Sequence, residues 1–158
     1  SYHKNHQLCP MQALQFPEYT FRFKSMENRL YIFDIIRKKF ILLLPEEWVR
    51  QHAVHYLVFT KGYPKSLINV EKKINLNGVT KRYDIAVFNS DGSIRILVEC
   101  KAPEIQIDQD TFDQIARYNM RLDASLLWVT NGLLHLYCIL DKKHENYSFL
   151  KEIPDLRR

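Results

Sequence analysis

Glycine, proline and cysteine are scarce in this chain of 158 residues, which contains four, six and three of them respectively. So few glycines and prolines exclude a collagen-like or low-complexity chain, and an apolar fraction of 46% is typical of a globular domain. Cys9, Cys100 and Cys138 are far apart in sequence and form no Cys-x-x-Cys pair. Cysteine usage therefore argues against a disulfide framework or a zinc site and favours a reducing compartment.

Long apolar runs are also absent. The longest, from Phe40 to Leu44, is too short to cross a bilayer, and no signal-peptide pattern opens the chain. We therefore expect a soluble, cytoplasmic protein that does not bind a membrane. Lysine and arginine outnumber the acidic residues by 23 to 18, and the resulting net charge of +5 suits a polyanionic partner such as DNA.

The segment from Lys81 to Pro103 is the most informative part of the chain. Its Asp91-Gly92 pair favours a two-residue type I′ turn between two strands, because both residues tolerate a positive φ. The strand pairs that follow from this turn are Ser90 with Ser93, Phe88 with Arg95, Ala86 with Leu97 and Asp84 with Glu99. Lys101 follows Glu99 by two residues, so the alternation of side chains predicts that both lie on the same face as Asp84.

A second hairpin signal, Asn77-Gly78, predicts the same faces independently. Its strand pairs are Leu76 with Val79, Val70 with Ile85 and Glu71 with Asp84. One face of the sheet is then apolar and comprises Ile68, Val70, Ile85, Val87, Ile96 and Val98. The other face carries an acidic row, Glu71, Asp84 and Glu99, beside a basic row, Lys73, Arg82 and Lys101. This segregation predicts a three-stranded antiparallel meander, because a slip of one residue would turn every apolar side chain outward.

Three carboxylates in one row are destabilising unless their charge is compensated. A divalent cation is one explanation, because Mg²⁺ prefers oxygen ligands and is usually held by one or two carboxylates with water and phosphate. The alternative is that the basic row neutralises the acidic row on an ordinary exposed face of mixed charge. The position of Glu99 and Lys101 at the end of an apolar strand, directly before Ala102-Pro103, favours a site.

Helices are predicted before and after this meander. Pro45 suits the first position of a helix that ends near Gly62 and carries Glu47 at the edge of its buried stripe. A second helix begins after the capping residues 108–111 and carries Gln114 beside its packing face. The strands that follow it are Leu126 to Thr130, parallel to the strand before the helix, and Leu133 to Leu140.

The chain divides into three parts on this reading. Alternating residues before Pro45 predict a small antiparallel β extension in residues 1–44. Its strands are Phe21 to Lys24, Leu30 to Ile36 and Phe40 to Leu44. Residues 45–140 form an α/β core, and residues 141–158 form a charged tail that is expected to be marginally ordered.

Basic residues are expected around the acidic row. Lys73 and Arg82 lie on the meander, and Arg117 and Arg121 lie on the second helix. A metal site surrounded by positive charge is what binding of a phosphate backbone requires, so these four residues are candidates for contacts with DNA. The alternative for each group is an ordinary solvated basic surface.

Asp84 on one strand, followed by Glu99-Cys100-Lys101 on the next, resembles the PD-(D/E)xK nuclease superfamily. Tyr83 stands where the superfamily's motif has proline. Between Phe33 and Asp141 the chain is similar to small proteins that resemble the N-terminal nuclease region of type I restriction enzyme R subunits. The segments that carry this similarity are 45–52, 61–64, 81–84, 98–103, 111–119 and 129–132.

The resemblance implies a restriction-endonuclease-like core with a mixed sheet flanked by helices. Its elements follow one another in the order helix, three-strand meander, helix and strand. It implies Mg²⁺-dependent or Mn²⁺-dependent hydrolysis of DNA, with Asp84, Glu99 and the backbone carbonyl of Cys100 holding the metal. Lys101 would position the attacking water and offset the charge that develops on the phosphate. A homodimer is compatible with this activity, because one active site cuts one strand.

The resemblance also assigns residues on the two helices. It identifies Glu47 as the acidic residue of the first helix that completes the site, and Gln114 with Tyr118 as a Gln-x-x-x-Tyr motif. A second interpretation is a non-catalytic nucleic-acid-binding or assembly module that keeps the nuclease fold. An enzyme acting on a small phosphorylated substrate is disfavoured, because the chain has no glycine-rich phosphate loop.

Overall fold

The computed structural model describes residues 11–76, 78–141 and 143–156 and shows an α/β protein with two sheets and two helices. The strands are β1 Phe23–Met26, β2 Arg29–Asp34, β3 Lys39–Leu42, β4 Ile68–Leu76, β5 Val79–Phe88, β6 Ile94–Cys100, β7 Leu126–Thr130, β8 His135–Asp141 and β9 Asn146–Leu150. The helices are α1, Pro45–His55, which continues as a π-helical turn over Tyr56–Thr60, and α2, Gln109–Met120. A 3₁₀ turn, Lys65–Leu67, precedes β4. No helix among these described residues is long and apolar enough to cross a membrane.

The two sheets separate the N-terminal extension from the core. Strands β1 to β3 form an antiparallel sheet in chain order, as the sequence predicts. Strands β4 to β9 form a six-stranded mixed sheet, also in chain order, in which only the β6–β7 pair is parallel. The parallel pair is joined through α2, which confirms the predicted crossover.

Helix α1 begins at Pro45 as predicted, and α2 begins at Gln109, within the stretch 108–111 that is predicted to supply its cap. Pro45 occupies the start of α1, and Glu46 and Glu47 lie in its first turn, where carboxylates stabilise the positive end of the helix dipole. Asp108 caps α2, because its side chain accepts a hydrogen bond from the Thr111 N–H.

The helices cover opposite faces of the large sheet and create two apolar layers. The layer beneath α1 contains Val49, Ala53, Val54 and Leu57 with Ile68, Val70, Ile85, Val87, Ile96 and Val98. The layer beneath α2 contains Phe112, Ile115 and Ala116 with Ala86, Leu97, Leu127 and Val129. All six residues of the predicted apolar face therefore lie in one core.

The predicted register of the meander is confirmed in its central part. Val70 pairs with Ile85 and Ala86 pairs with Leu97. The predicted two-residue turn at Asp91-Gly92 is wrong: Phe88 pairs with Ile94, the Asn89 N–H donates to the Ser93 carbonyl, and Arg95 is the extra residue of a bulge. The Asp91 side chain accepts from the Ser93 N–H, and such a local side-chain turn competes with the tighter hairpin.

The expected marginally ordered tail is instead part of the fold. Residues Asn146–Leu150 form β9 on the edge of the large sheet, and Ile153 has no exposed surface. The Tyr63 hydroxyl donates to the Pro154 carbonyl, and Lys61 pairs with Glu152. The strand is short and charged residues flank it on both sides, so the alternation of Tyr147 and Phe149 was too weak a pattern for it to be predicted.

The N-terminal extension is held against α1 by aromatic packing. Phe21, Ile32 and Trp48 form a separate apolar cluster, and the Trp48 indole donates to the Gln12 carbonyl. Cys100 and Cys138 are free and buried, whereas Cys9 lies outside the described residues.

Gly132, in the turn between β7 and β8, packs directly against the N-terminal segment. Its φ is +86°, and an added Cβ would lie 2.8 Å from Leu14 Cδ2 and 3.2 Å from Val49 Cγ2. Gly132→Ala is therefore expected to lower the free energy of unfolding by about 2–3 kcal/mol, through backbone strain and overpacking together. The matched control is Gly92→Ala, because Gly92 also has a positive φ but has no atom within 4 Å of its Cβ position. We expect this control to cost about 1 kcal/mol, and thermal unfolding that shows equal losses would contradict the packing argument.

Candidate active site

The side chain of Asp84 lies against the strand that carries Glu99 and Lys101. Asp84 Oδ2 accepts a hydrogen bond from the Cys100 N–H at 2.7 Å. Lys101 Nζ lies 4.0 Å from Glu99 Oε2. The structure therefore brings the three residues together at the point where the β5–β6 ladder ends, as the sequence predicts.

The carboxylates do not share one face of the sheet, which corrects the predicted acidic row. Ile85 packs beneath α1, whereas both Tyr83 and Ala86 pack beneath α2, so the alternation of side chains breaks at Asp84. Glu71, on the neighbouring strand, has a φ of +53°, and its pairing with Asp84 is missing from the ladder. The break turns Asp84 and Glu71 toward α1, while Glu99 stays on the side of α2.

Three carboxylates, those of Glu46, Glu71 and Asp84, converge beneath the start of α1 and form the acidic group of the site. One oxygen from each of Glu46, Glu71 and Asp84 lies within 4.8 Å of the others. Sequence reasoning missed Glu46, because it assigned the site residue of this helix to Glu47. The adjacent Glu46-Glu47 pair was the available signal, but spacing alone does not say which of two neighbouring side chains faces the sheet.

Arg50 is the main cation in this group, and sequence reasoning missed it as well. Its Nη2 lies 2.7 Å from Glu46, 3.0 Å from Glu71 and 3.4 Å from Asp84, and its Nη1 lies 2.5 Å from Glu47. The residue is 4% exposed. Burial opposes its charge, yet the surrounding carboxylates raise the pKa of Arg50. The guanidinium therefore neutralises part of the acidic charge.

Glu47 does not contact Asp84 directly. It is buried and accepts hydrogen bonds from Arg37, Arg50 and Gln51. Gln51 also donates to Asp34, which is fully buried. Glu47 therefore acts on the site through Arg50, whose guanidinium it orients.

Burial raises the pKa of two of the site's carboxylates. Burial and the nearby Asp84 raise the pKa of Glu99 to about 8, although Lys101 lowers it. Burial also raises the pKa of Asp84, against the hydrogen bond from Cys100 and the charge of Arg50. A carboxyl group that resists ionisation beside other acids is typical of a site that binds a cation or handles protons.

Gln114 on α2 shares a recess with Glu99. The recess is also lined by Ile115, Tyr118 and Asn119. The Tyr118 hydroxyl accepts from the Arg82 N–H at 3.1 Å and so ties α2 to β5. The structure thus places Gln114 beside Glu99 and gives Tyr118 a structural contact.

The four candidate residues for DNA contacts lie in different places. Arg82 Nε donates to Glu71 at 2.9 Å, so Arg82 contacts the acidic group. Lys73 is exposed on the same hairpin and pairs with Arg82 across the ladder. Arg117 and Arg121 line another recess, with Met120 and Glu145, at the far end of α2. The structure does not bring this second pair into contact with the carboxylates.

Comparison with known protein families gives a match over most of the core. Residues 45–154 match the family model of the type I restriction enzyme R protein N terminus. A search of curated proteins finds no match. The matched range starts at the first residue of α1 and includes the whole acidic group, together with Lys101 and Gln114, whereas the three-stranded extension lies before it.

Proposed function

The chain belongs to the family of type I restriction enzyme R protein N termini, and we propose that it is a Mg²⁺-dependent nuclease that hydrolyses phosphodiester bonds in DNA. The observation that carries this proposal is the hydrogen bond between Asp84 and the Cys100 N–H, at 2.7 Å. It holds one carboxylate beside the Glu99-Cys100-Lys101 segment, which is the arrangement that a PD-(D/E)xK site needs. The element order from α1 through the meander and α2 to β7 supports a restriction-endonuclease-like core.

The residues of the site fit a hard divalent cation. Glu46, Glu71 and Asp84 offer carboxylate oxygens within 4.8 Å of one another, and Glu99 directly precedes Cys100, whose N–H donates to Asp84. Oxygen ligands from carboxylates are those that Mg²⁺ and Mn²⁺ prefer. When bound, such a metal polarises the phosphate and lowers the pKa of a bound water. Asp84 and Glu99 would hold it, with the Cys100 carbonyl or the neighbouring Glu46 and Glu71 as further oxygen ligands.

The other residues orient the reacting groups. Lys101, with Nζ 4.0 Å from Glu99, can position the attacking water and offset negative charge on the phosphate. Gln114 faces the same recess as Glu99 and can hydrogen-bond to water or phosphate there. Glu47 positions Arg50, and Arg50 in turn orients Glu46 and Asp84. Gln114, Glu47 and Arg50 lie on helices, which hold a site more rigidly than loops do, and Lys101 directly follows the end of β6.

A second candidate is a DNA-binding or assembly module without catalysis. The position of Arg50 favours it, because a guanidinium among Glu46, Glu71 and Asp84 already supplies a positive charge where a metal would bind. The two functions differ in one result: a nuclease cleaves DNA when the metal is present, whereas a binding module leaves the DNA intact.

Incubation of the protein with supercoiled plasmid and with single-stranded DNA, in Mg²⁺, Mn²⁺ or EDTA, separates these functions. We expect cleavage with either metal and none in EDTA, because the carboxylates need a cation to activate water. Direct appearance of linear plasmid, without a nicked intermediate, would support a homodimer with two sites. Intact DNA under all conditions, together with DNA binding, would favour the module.

A further inference from the structure

A groove of about 780 Å³ runs between the N-terminal extension and the edge of the large sheet. One wall is the β2–β3 hairpin, which contributes Lys38 from its turn and Lys39 from the start of β3. The other wall contributes Lys65, before β4, and Lys72, on β4. Glu71 also lines the groove, and it belongs to the acidic group of the candidate site. The groove therefore joins a basic surface to the carboxylates.

The β2–β3 hairpin that carries Lys38 and Lys39 is rigidly built at its turn. Asp34 Oδ1 accepts hydrogen bonds from the backbone N–H groups of Ile36 and Arg37, at 2.7 and 2.8 Å. The Lys38 N–H donates to the Asp34 carbonyl, and Lys38 has a φ of +56°. Although burial opposes its ionisation, hydrogen bonds from Arg37 and Gln51 keep the pKa of Asp34 below its usual value. The lysines thus project from a fixed turn rather than from a flexible loop.

The positive charge of the groove is available to a ligand. Lys38, Lys39, Lys65 and Lys72 are all exposed, and none of them forms an ion pair with the residues that the structure describes. Arg37 differs from them, because its guanidinium is held by Asp34 and Glu47. Four free ammonium groups along one groove attract a polyanion, and Lys is a common phosphate ligand.

We infer that this groove binds the phosphate backbone of DNA and leads a strand to the carboxylates of the site, an inference that rests on the proposed function. The N-terminal extension is then part of the DNA-binding surface, although it lies outside the range that matches the family. Arg117 and Arg121 line a recess that the acidic group does not reach. The main contacts with the DNA backbone therefore lie in the groove rather than at these two arginines.

Fluorescence anisotropy of a labelled 25-base-pair duplex, titrated with the full chain in EDTA at several KCl concentrations, tests the inference. Lys38→Ala with Lys39→Ala removes charge from one wall, and Lys65→Ala with Lys72→Ala removes it from the other. Each pair is expected to lower the log–log salt slope by up to about two units and to weaken binding about tenfold. The control is Lys143→Ala with Lys151→Ala, which removes the same charge near β9, at the opposite edge of the sheet from β4.

The control pair is expected to bind DNA with the salt slope of the wild type. Groove variants that match the control in slope and affinity would overturn the inference, even if the protein cleaves DNA. Groove-dependent binding by a protein that never cleaves DNA would keep the inference and reject the nuclease. A wild-type chain that binds neither the duplex nor its single strand would reject both.

Discussion

Lys101→Ala is expected to lower the rate of DNA cleavage by at least about 100-fold while DNA affinity and melting temperature stay at wild-type values. The physical reason is the position of its ammonium group, 4.0 Å from Glu99 Oε2, where it can act on water and phosphate without being a metal ligand. Lys101 is partly exposed, and among the described residues its ion pair is the one with Glu99, so removing it costs little stability. Initial rates on plasmid in saturating Mg²⁺, with anisotropy for binding, measure both properties.

Lys143→Ala is the matched control, because Lys143 is an exposed lysine in the turn between β8 and β9. It should cleave as the wild type does. Lys101→Arg adds a second readout, since it keeps the charge but changes its shape and pKa, and it should recover part of the rate. A Lys101→Ala variant that retains wild-type cleavage would remove Lys101 from the mechanism. Loss of both binding and stability would make Lys101 a structural residue.

In EDTA, Glu99→Gln is expected to be more stable than the wild type at high pH. The folded-state pKa of Glu99 is about 8, above its ordinary value of 4.5, because burial and Asp84 disfavour the ionised form. Because the pKa of Glu99 is higher in the folded state than in the unfolded state, the free energy of unfolding of the wild type decreases as the pH rises from about 4.5 to about 8. Glutamine keeps the shape of the protonated acid and cannot ionise. The gain should therefore be absent near pH 4.5 and reach up to about 4 kcal/mol above pH 8, which corresponds to about 10 °C.

Magnesium should reduce or reverse this ranking. A cation that binds only the folded state stabilises it by about 1.4 kcal/mol at ten times its dissociation constant. Wild-type protein should show this increase in melting temperature, whereas Glu99→Gln should respond weakly. Asp84→Asn should behave in the same direction with a smaller gain in EDTA, because Arg50 and the Cys100 N–H already offset the charge of Asp84. Variants that are destabilised in EDTA at pH 8, and that still respond to Mg²⁺ fully, would identify Glu99 and Asp84 as structural ion-pair partners.

Local patterns in the sequence predict the order of the elements apart from β9, together with most of the register of the meander. These features depend on local signals: the apolar alternation from Ile68 to Val98, the Asn77-Gly78 turn signal in the sequence, Pro45 at a helix start and Asp108 as a cap. Asn77 itself lies outside the described residues. Apolar alternation identifies which side chains face the core, because any slip would expose them. That register places Asp84 next to the strand segment of Glu99 and Lys101, so the proximity of these residues could be predicted, whereas the face on which Asp84 lies could not.

The arrangement of charge around these residues depends on contacts between elements that are far apart in the sequence. Alternation breaks at Glu71 and Asp84, and a broken period cannot be predicted from the pattern that it interrupts. Arg50 neutralises carboxylates from α1, β4 and β5, and such a contact depends on distances across elements rather than on spacing along the chain. The basic groove forms for the same reason, because the wall that carries Lys38 and the wall that carries Lys72 become neighbours only when the two sheets are placed against α1.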